Sequence, residues 1–552
     1  MGNRADRVGK AGRDRTARTA LPSVIPAKAE FPMAGLRQVA WHCLVAAGIL
    51  LLSTPPLHAQ VSRDSILQRI WTVGMDSSLA EPLGRALFDS LGPRLTGSPG
   101  LRAANDWLVK TYTSWGITAR NERYGTWRGW RRGTTHIDLV APRTRSLEGT
   151  MLGWSPGTGG RDVTAGTVIL PHFKDSTEFV AWLPQARGKY VLVAPGQPTC
   201  RPTDDWTANA TPESARRMDS LRQALTAEWR ARIEATGYSL ALGTGSLGLR
   251  LEQAGIAGIV TSRPTNGWGT FQVFETYDTI APAVALSCED YGLVYRLTED
   301  NRHPQLRMNL EAELLGEQPV ANTIATIPGS KRKNEYVILS AHLDAWDAAS
   351  GANDNGAGTL IMMEAMRILK RVLPHPQRTI LAGHWTGEEQ GLVGSRAFSE
   401  DHPEVVKGLQ FMFNHDLGTG RVNRIHGAGL PDAAAHLEQW LSRLPAVFQE
   451  QVKFEGTGQP SGGSSDHAPF NCQGAPAMLL GSAGWDYGKY DGHTNRDSYD
   501  KVVYDDIRSD AVLLAMLAYE ASEDPAFISR ERAPGTWPAC QPAPRHTRPR
   551  LR

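Results

Sequence analysis

A mixed α/β fold, with a mostly parallel central sheet flanked by helices, is predicted by three observations. Short apolar runs recur at Tyr336-Val337-Ile338-Leu339-Ser340, Arg378-Thr379-Ile380-Leu381-Ala382, Gln410-Phe411-Met412-Phe413 and Ala477-Met478-Leu479-Leu480. Continuous rather than alternating apolar character marks strands buried on both faces, as in a parallel sheet. Between the first two runs, Ile361, Ala365, Ile368, Leu369 and Val372 recur at helical spacing. Strand–helix–strand order implies a right-handed crossover between parallel strands. Finally, each run leads to residues that carry chemistry. His342 and Asp344 follow the first, Glu388-Glu389 the second and Asp416 the third; His493 lies past a Gly/Tyr/Asp-rich loop after the fourth. Parallel sheets gather ligands beyond the carboxyl ends of their strands, so one sheet edge receives them all.

The elements follow in chain order. A chain of 552 residues is too long for one core and implies two domains plus extensions. Residues 1–60 read as an address. Arg37 precedes an apolar run from Val39 to Leu52, which ends in Pro55-Pro56-Leu57-His58-Ala59-Gln60. This is the pattern of a signal peptide cut after Ala59, and the run is short for a membrane span. Met33 is then the expected start, residues 1–32 an over-called extension, and the mature protein is secreted or periplasmic with no stable membrane span. Residues 61–130, with Asp106-Trp107-Leu108 on a helix, open the catalytic domain. Residues 131–314 change texture, with short β runs at Lys189–Ala194, Ala257–Val260 and Pro282–Leu286 and a charged helix over about Pro212 to Thr236. They read as a β-rich insertion that walls or caps a cleft. Residues 315–530 complete the catalytic domain, and 531–552 form a Pro/Arg-rich tail expected to be loose.

Export permits disulfides. Cys43 leaves with the signal, and Cys200, Cys288, Cys472 and Cys540 allow three pairings. Cys200 and Cys288 share the inserted stretch, which favours that pair; free buried cysteines are the alternative. Lys and Arg number 59 against 57 Asp and Glu, a net charge of +2, and nothing argues for nucleic acid. The excess basic residues cluster at the two ends and read as solvated tails.

The sheet-edge residues each have a plainer reading. Asp354 lies in Gly351-Ala352-Asn353-Asp354-Asn355-Gly356-Ala357-Gly358 and could serve only as a helix N-cap. His342 could be a satisfied core histidine, and Glu388-Glu389 a solvated pair. Their convergence favours a metal centre instead. His384, His415 and His467 read as structural. The loop Ser461-Gly462-Gly463-Ser464-Ser465, followed by Asp466, is either a substrate-binding rim contributed by Ser465 and Asp466 or an ordinary surface turn.

Several segments together resemble the M28 family of zinc exopeptidases. They are His342-Leu343-Asp344-Ala345-Trp346-Asp347, Gly351 through Gly358, Trp385 through Ser395 and Ser465-Asp466-His467-Ala468-Pro469-Phe470. Within that family, Gly92-Pro93-Arg94-Leu95-Thr96-Gly97-Ser98 and Asn322-Thr323-Ile324-Ala325 are similar to the carboxypeptidase Q branch and its bacterial relatives. The resemblance runs from about Ser62 to Ala526. It implies two zinc ions per chain, one held by His342 and Asp416, the other by Glu389 and His493, with Asp354 bridging. It makes Glu388 the general base and gives Asp344 the task of orienting His342 through its second ring nitrogen. It implies that the insertion is a protease-associated domain, that the substrates are dipeptides or short peptides, and it allows a homodimer. The loop Asp491 to Asp500 departs from the pattern around His493, where many relatives have Tyr before the histidine and Thr where Ser498 stands.

The chemistry supports the same set. Two divalent ions against three carboxylates leave one positive charge, room for a bridging hydroxide. Glu388 adjoins a ligand without being needed as one, which suits a group that moves a proton. A metal left with an open position could also bind a free α-amine, which favours an exopeptidase. Two other functions fit this scaffold: a non-catalytic receptor or binding protein, which would lose ligands, and a glutaminyl cyclase-like acyl transferase.

Overall fold

The computed structural model describes residues 65–239 and 246–542. The apolar run and cleavage site assigned to a signal peptide lie outside these residues. The strands that position the site are β1 (Thr118–Ala141), β2 (Gly149–Met151), β3 (Val163–Ile169), β4 (Tyr190–Leu192), β5 (Gly258–Thr261), β6 (Ala283–Leu286), β7 (Gln305–Ile327), β8 (Arg332–His342), β9 (Arg378–Trp385), β10 (Leu409–Asn414) and β11 (Ala477–Leu479). They belong to one sheet in the order β11-β10-β8-β9-β7-β3-β4-β5-β6-β2, with β1 paired along β7. β11, β10, β8 and β9 run parallel, and β7 is antiparallel to β9.

The four apolar runs are four of these strands, and parity explains their continuous apolar character. Val337, Leu339 and Ala341 of β8, Ile380 and Ala382 of β9 and Phe411 and Phe413 of β10 enter one core. Ile338, Leu381 and Met412 turn to the opposite face and a second core. Successive side chains of a strand point to opposite faces, so a strand covered on both sides must be apolar throughout. The first core is closed by α3 (Ala357–Val372) and α5 (Tyr504–Glu523), whose Leu360, Ile361, Ile368, Val512, Leu513 and Leu517 are fully buried. Earlier in the chain come α1 (Pro99–Ser114), capped by Ser98 accepting from the Leu101 N–H, and α2 (Pro212–Ala235). Between α3 and α5 lies α4 (Val393–Asp401).

Positions 130 and 314, where the sequence changes texture, are partners on one rung of the β1–β7 ribbon. The ribbon carries the chain out to residues 142–304 and back. There β3, β4, β5 and β6 run parallel, interleaved with helices, over their own apolar clusters. This segment holds more helix than strand, unlike the β-rich expectation, because helices follow β3, β4 and β6 and one of them, α2, alone spans 24 residues.

Cys200 is joined to Cys288 and Cys472 to Cys540. The second bridge corrects the expectation of a loose tail as far as residue 542. Trp537 packs on the main core, beside the Arg532 guanidinium, and Cys540 anchors the strand-free segment.

Candidate metal centre

β8 ends at His342, and β10 ends at Asn414, two residues before Asp416. β9 ends at Trp385, and the turn between it and α4 carries Glu388 and Glu389. Gly394, early in α4, seats that turn: a Cβ there would lie 2.2 Å from the Asn322 side chain and 2.4 Å from the Thr386 carbonyl. Asp354 lies in the loop before α3. It is entered through Gly351, whose φ of 60° and close approach to Ala345 exclude a side chain. His493 comes from the loop after β11, itself at φ 60°.

These residues form two triads that share Asp354: His342, Asp354 and Asp416, and Asp354, Glu389 and His493. Within each triad the candidate ligand atoms lie within 4.8 Å of one another. His342 Nε2 is 3.5 Å from Asp354 Oδ1 and 3.0 Å from Asp416 Oδ1. His493 Nε2 is 3.3 Å from Asp354 Oδ2 and 3.0 Å from Glu389 Oε2. The two oxygens of one carboxylate thus face two histidines. Asp354 Oδ2 and Glu389 Oε1 are buried without a hydrogen-bond donor. Buried carboxylate oxygens that no donor satisfies are what a cation would complete. Imidazole and carboxylate donors in threes, with positions left open, suit catalytic zinc.

The electrostatics say the same. Burial pushes Glu389 up to about 7, with the Asp354 charge adding to it and His493 opposing. Burial likewise raises Asp416, against the pull of His342. Asp354 goes the other way, to about 2, because the hydrogen bond to His342 and the charges of His493 and His342 outweigh its burial. The histidines answer in kind. Burial works against His493, yet Glu389 and Asp354 raise it to about 9. Burial works against His342 as well, and Asp416 and Glu388 raise it. The carboxylates exceed the positive charge that two imidazoles supply, so the site draws cations.

Glu388 stands apart. It lines a cleft of about 470 Å³ together with Asp354, Glu389, Asp416, Tyr487 and His493, but belongs to neither triad. Burial pushes its carboxyl well above the usual range, with His342 opposing and Asp416 reinforcing. A larger cavity, about 600 Å³, lies beyond the ends of β4 and β5 and shares Gln272 with the cleft, but holds none of the sequence-predicted residues.

Asp344 approaches His342 through its main chain: the carbonyl is 3.0 Å from Nδ1 and the carboxylate 3.7 Å. The carboxylate instead accepts from Thr96 Oγ1 at 3.1 Å and from the N–H groups of Glu388 and Glu389 at 3.3 and 3.4 Å. Asp344 therefore meets the imidazole through its carbonyl, not through its carboxylate as expected, and holds the acid-bearing turn through the carboxylate.

Ser465 and Asp466 need correcting as rim residues. Both are fully buried, and Gly463 and Ser464 line the cleft in their place. Ser465 Oγ accepts from Asn414, and burial pushes Asp466 to about 8. The loop turns inward after Ser464 because Ala468–Asn471 must pack beneath the sheet edge. His384, His415 and His467 are buried outside both triads; burial lowers them to about 3, 4 and 3, and Tyr112 bonds His384.

Two supporting residues were not foreseen. Asp497 accepts from the N–H groups of Asn353 and Asp354 at 2.7 and 2.9 Å. The buried Arg94 guanidinium donates to the carbonyls of Gly92, Leu343, Ser350 and Gly351. Arg94 sits in the Gly92–Ser98 segment already singled out, and Asp497 in the His493 loop; neither has a local periodicity that reveals its partner.

The chain is similar to known proteins in sequence and fold. Residues 322–518 match peptidase family M28. Carboxypeptidase Q from Bos taurus is 26% identical over 372 residues, covering 67% of this chain and 71% of its own length. The solved peptidase M28 precursor from Shewanella amazonensis aligns with a TM-score of 0.61 at 22% identity, over 85% of this chain and 98% of that one. A zinc aminopeptidase from Bacillus subtilis aligns with a TM-score of 0.53 at 18% identity, over 81% and 94%. The two structures share the α/β fold.

Proposed function

Because the chain is a metallopeptidase hydrolase of family M28, a family that implies zinc, we propose that it is an exported di-zinc exopeptidase acting on dipeptides or short peptides. The observation that carries this reading is the shared carboxylate of Asp354, one oxygen toward each histidine. His342 and Asp416 would hold one ion, Glu389 and His493 the other, and Asp354 would span both. When bound, the ions supply a water acidified toward a pKa of about 7 and polarisation of the scissile carbonyl. Glu388 takes the proton of the attacking water and returns it to the leaving amine. Its raised affinity for a proton, set by burial, suits that transfer. Asp344, Asp497 and Arg94 fix the loops that carry the ligands, so the groups are placed before substrate arrives.

Export is supported by the signal-like run before Ala59 and by the two disulfides. Among the described residues no helix is long and apolar enough to cross a membrane. Metal analysis beside a dipeptide panel tests the reading. About two zinc per chain, as the two-metal scheme requires, and release of free amino acids are expected. One zinc with pyroglutamate formation from glutaminyl peptides would assign the protein to the acyl-transfer alternative.

A further inference from the structure

We propose that Arg396 forms a carboxylate-binding subsite on the wall of the metal cleft, which captures the free C-terminus of a short peptide on the leaving-amine side of the scissile bond. The inference rests on the peptidase reading and decides which end of the substrate is recognised.

The cleft lining carries four acids, Asp354, Glu388, Glu389 and Asp416, and each has a task at the metal centre. Among the described residues that line it, Arg396 is the only arginine or lysine. No spare acid remains for a substrate ammonium, while a spare guanidinium is present for a carboxylate. The position is rigid and tied to the base. The N–H groups of Gly391 and Leu392 both bond the Glu388 carbonyl at 2.8 Å, and the Arg396 N–H bonds the Leu392 carbonyl at 3.0 Å. Glu388 and Arg396 line the same cleft from one turn and the helix it opens, which suits a group gripped by Arg396 to the leaving-amine side that Glu388 serves.

The guanidinium is under-used. Its Nε is buried without an acceptor, and Nη1 donates to the neutral Gln541 amide at 3.1 Å. Glu400 and the buried Asp466 act on it through space. A planar guanidinium fork matches a carboxylate in two parallel hydrogen bonds, stronger than the amide contact it would replace. Behind it, Pro538, Ala539 and Gln541 of the tail close a small groove with Leu392 and Gly463, and the Cys472–Cys540 bridge fixes the tail there. Chain extending past the captured carboxylate would meet this wall, so a short leaving group fits.

The test uses the full, zinc-loaded protein with Ala-Leu and its C-terminal amide as probes. Arg396→Gln is expected to lose roughly tenfold to a hundredfold in kcat/KM on Ala-Leu, mainly through KM, and less than about threefold on the amide. Arg396→Lys recovers part of the loss, and zinc content does not change in either variant. Equal losses on the two peptides, as a merely structural role beside Asp466 would give, overturn the subsite, as does no loss on either. Calorimetric binding of leucine and leucinamide separates the two levels of the argument. If the protein cleaves no peptide, the peptidase reading fails. Leucine binding that weakens in Arg396→Gln while leucinamide binding does not still upholds the subsite, and equal behaviour of the two ligands rejects it.

Discussion

Glu388 and Glu389 share a turn and a peptide bond, yet only Glu389 comes within 3.0 Å of a histidine nitrogen, His493 Nε2. Both line the cleft, but only Glu389 belongs to a triad. That difference predicts that Glu388→Gln, which keeps volume and removes the proton acceptor, lowers kcat by about a hundredfold to ten-thousandfold. Zinc per chain stays at the wild-type value, because Glu388 belongs to neither triad. Full activity in this variant, measured beside metal content, would remove Glu388 from the mechanism. His342, Glu388, Glu389 and Asp416 were legible as candidates because each stands at or within four residues of the end of a buried strand, whereas Asp354 and His493 lie farther along loops. The burial of Ser465 and Asp466 was not, because a Gly-rich stretch reads the same whether its end faces solvent or turns beneath a sheet.

At the scale of elements, the loop from Gly351 to Gly356 is the piece that must be held. It has no regular ladder of its own, and its backbone donors go to Asp497, more than a hundred positions away in sequence. The strands were readable because burial on both faces leaves a compositional mark. These long-range partners were not, since a hydrogen bond across 143 or 257 positions leaves no periodicity behind. Two backbone hydrogen bonds to the Asp497 carboxyl orient the loop that presents Asp354, the residue both triads need. Asp497→Asn keeps the shape and one acceptor oxygen but replaces the other with an N–H₂ that faces a backbone donor, so one of the two bonds is lost. Zinc affinity is expected to fall by about tenfold to a hundredfold at both positions together, the usual cost of losing support behind a metal ligand. Loss of one ion alone in a zinc titration would contradict a loop shared by both.

At the scale of the whole molecule, the β1–β7 ribbon returns residues from the insertion to the metal centre. The segment from Phe271 to Phe274 laces onto the His493 loop: the Val273 N–H bonds the His493 carbonyl and the Asn495 N–H bonds the Phe271 carbonyl, both at 3.0 Å. The Phe274 ring meets the His493 imidazole edge-on at 5.3 Å, and Trp346 lies 5.2 Å from Phe274. The texture change near residue 131 revealed that an insertion exists, but not that it would steady a ligand, since that contact depends on the bulged path of two long strands. His493 needs the help: at 36% side-chain exposure it is the most open of the five candidate ligands. An edge-on aromatic pair contributes about 0.5–1.5 kcal/mol beyond its buried area, or roughly twofold to tenfold in an equilibrium constant. Phe274→Ala should therefore weaken zinc by that smaller factor, and only at the Glu389–His493 position. The His342–Asp416 position, which rests on buried strand ends, keeps its affinity. A competition titration with a chromophoric chelator separates the two patterns, one weakened ion in Phe274→Ala against two in Asp497→Asn. Equal weakening of both ions in Phe274→Ala would mean that the insertion supports the centre through the shared Asp354 loop rather than through His493.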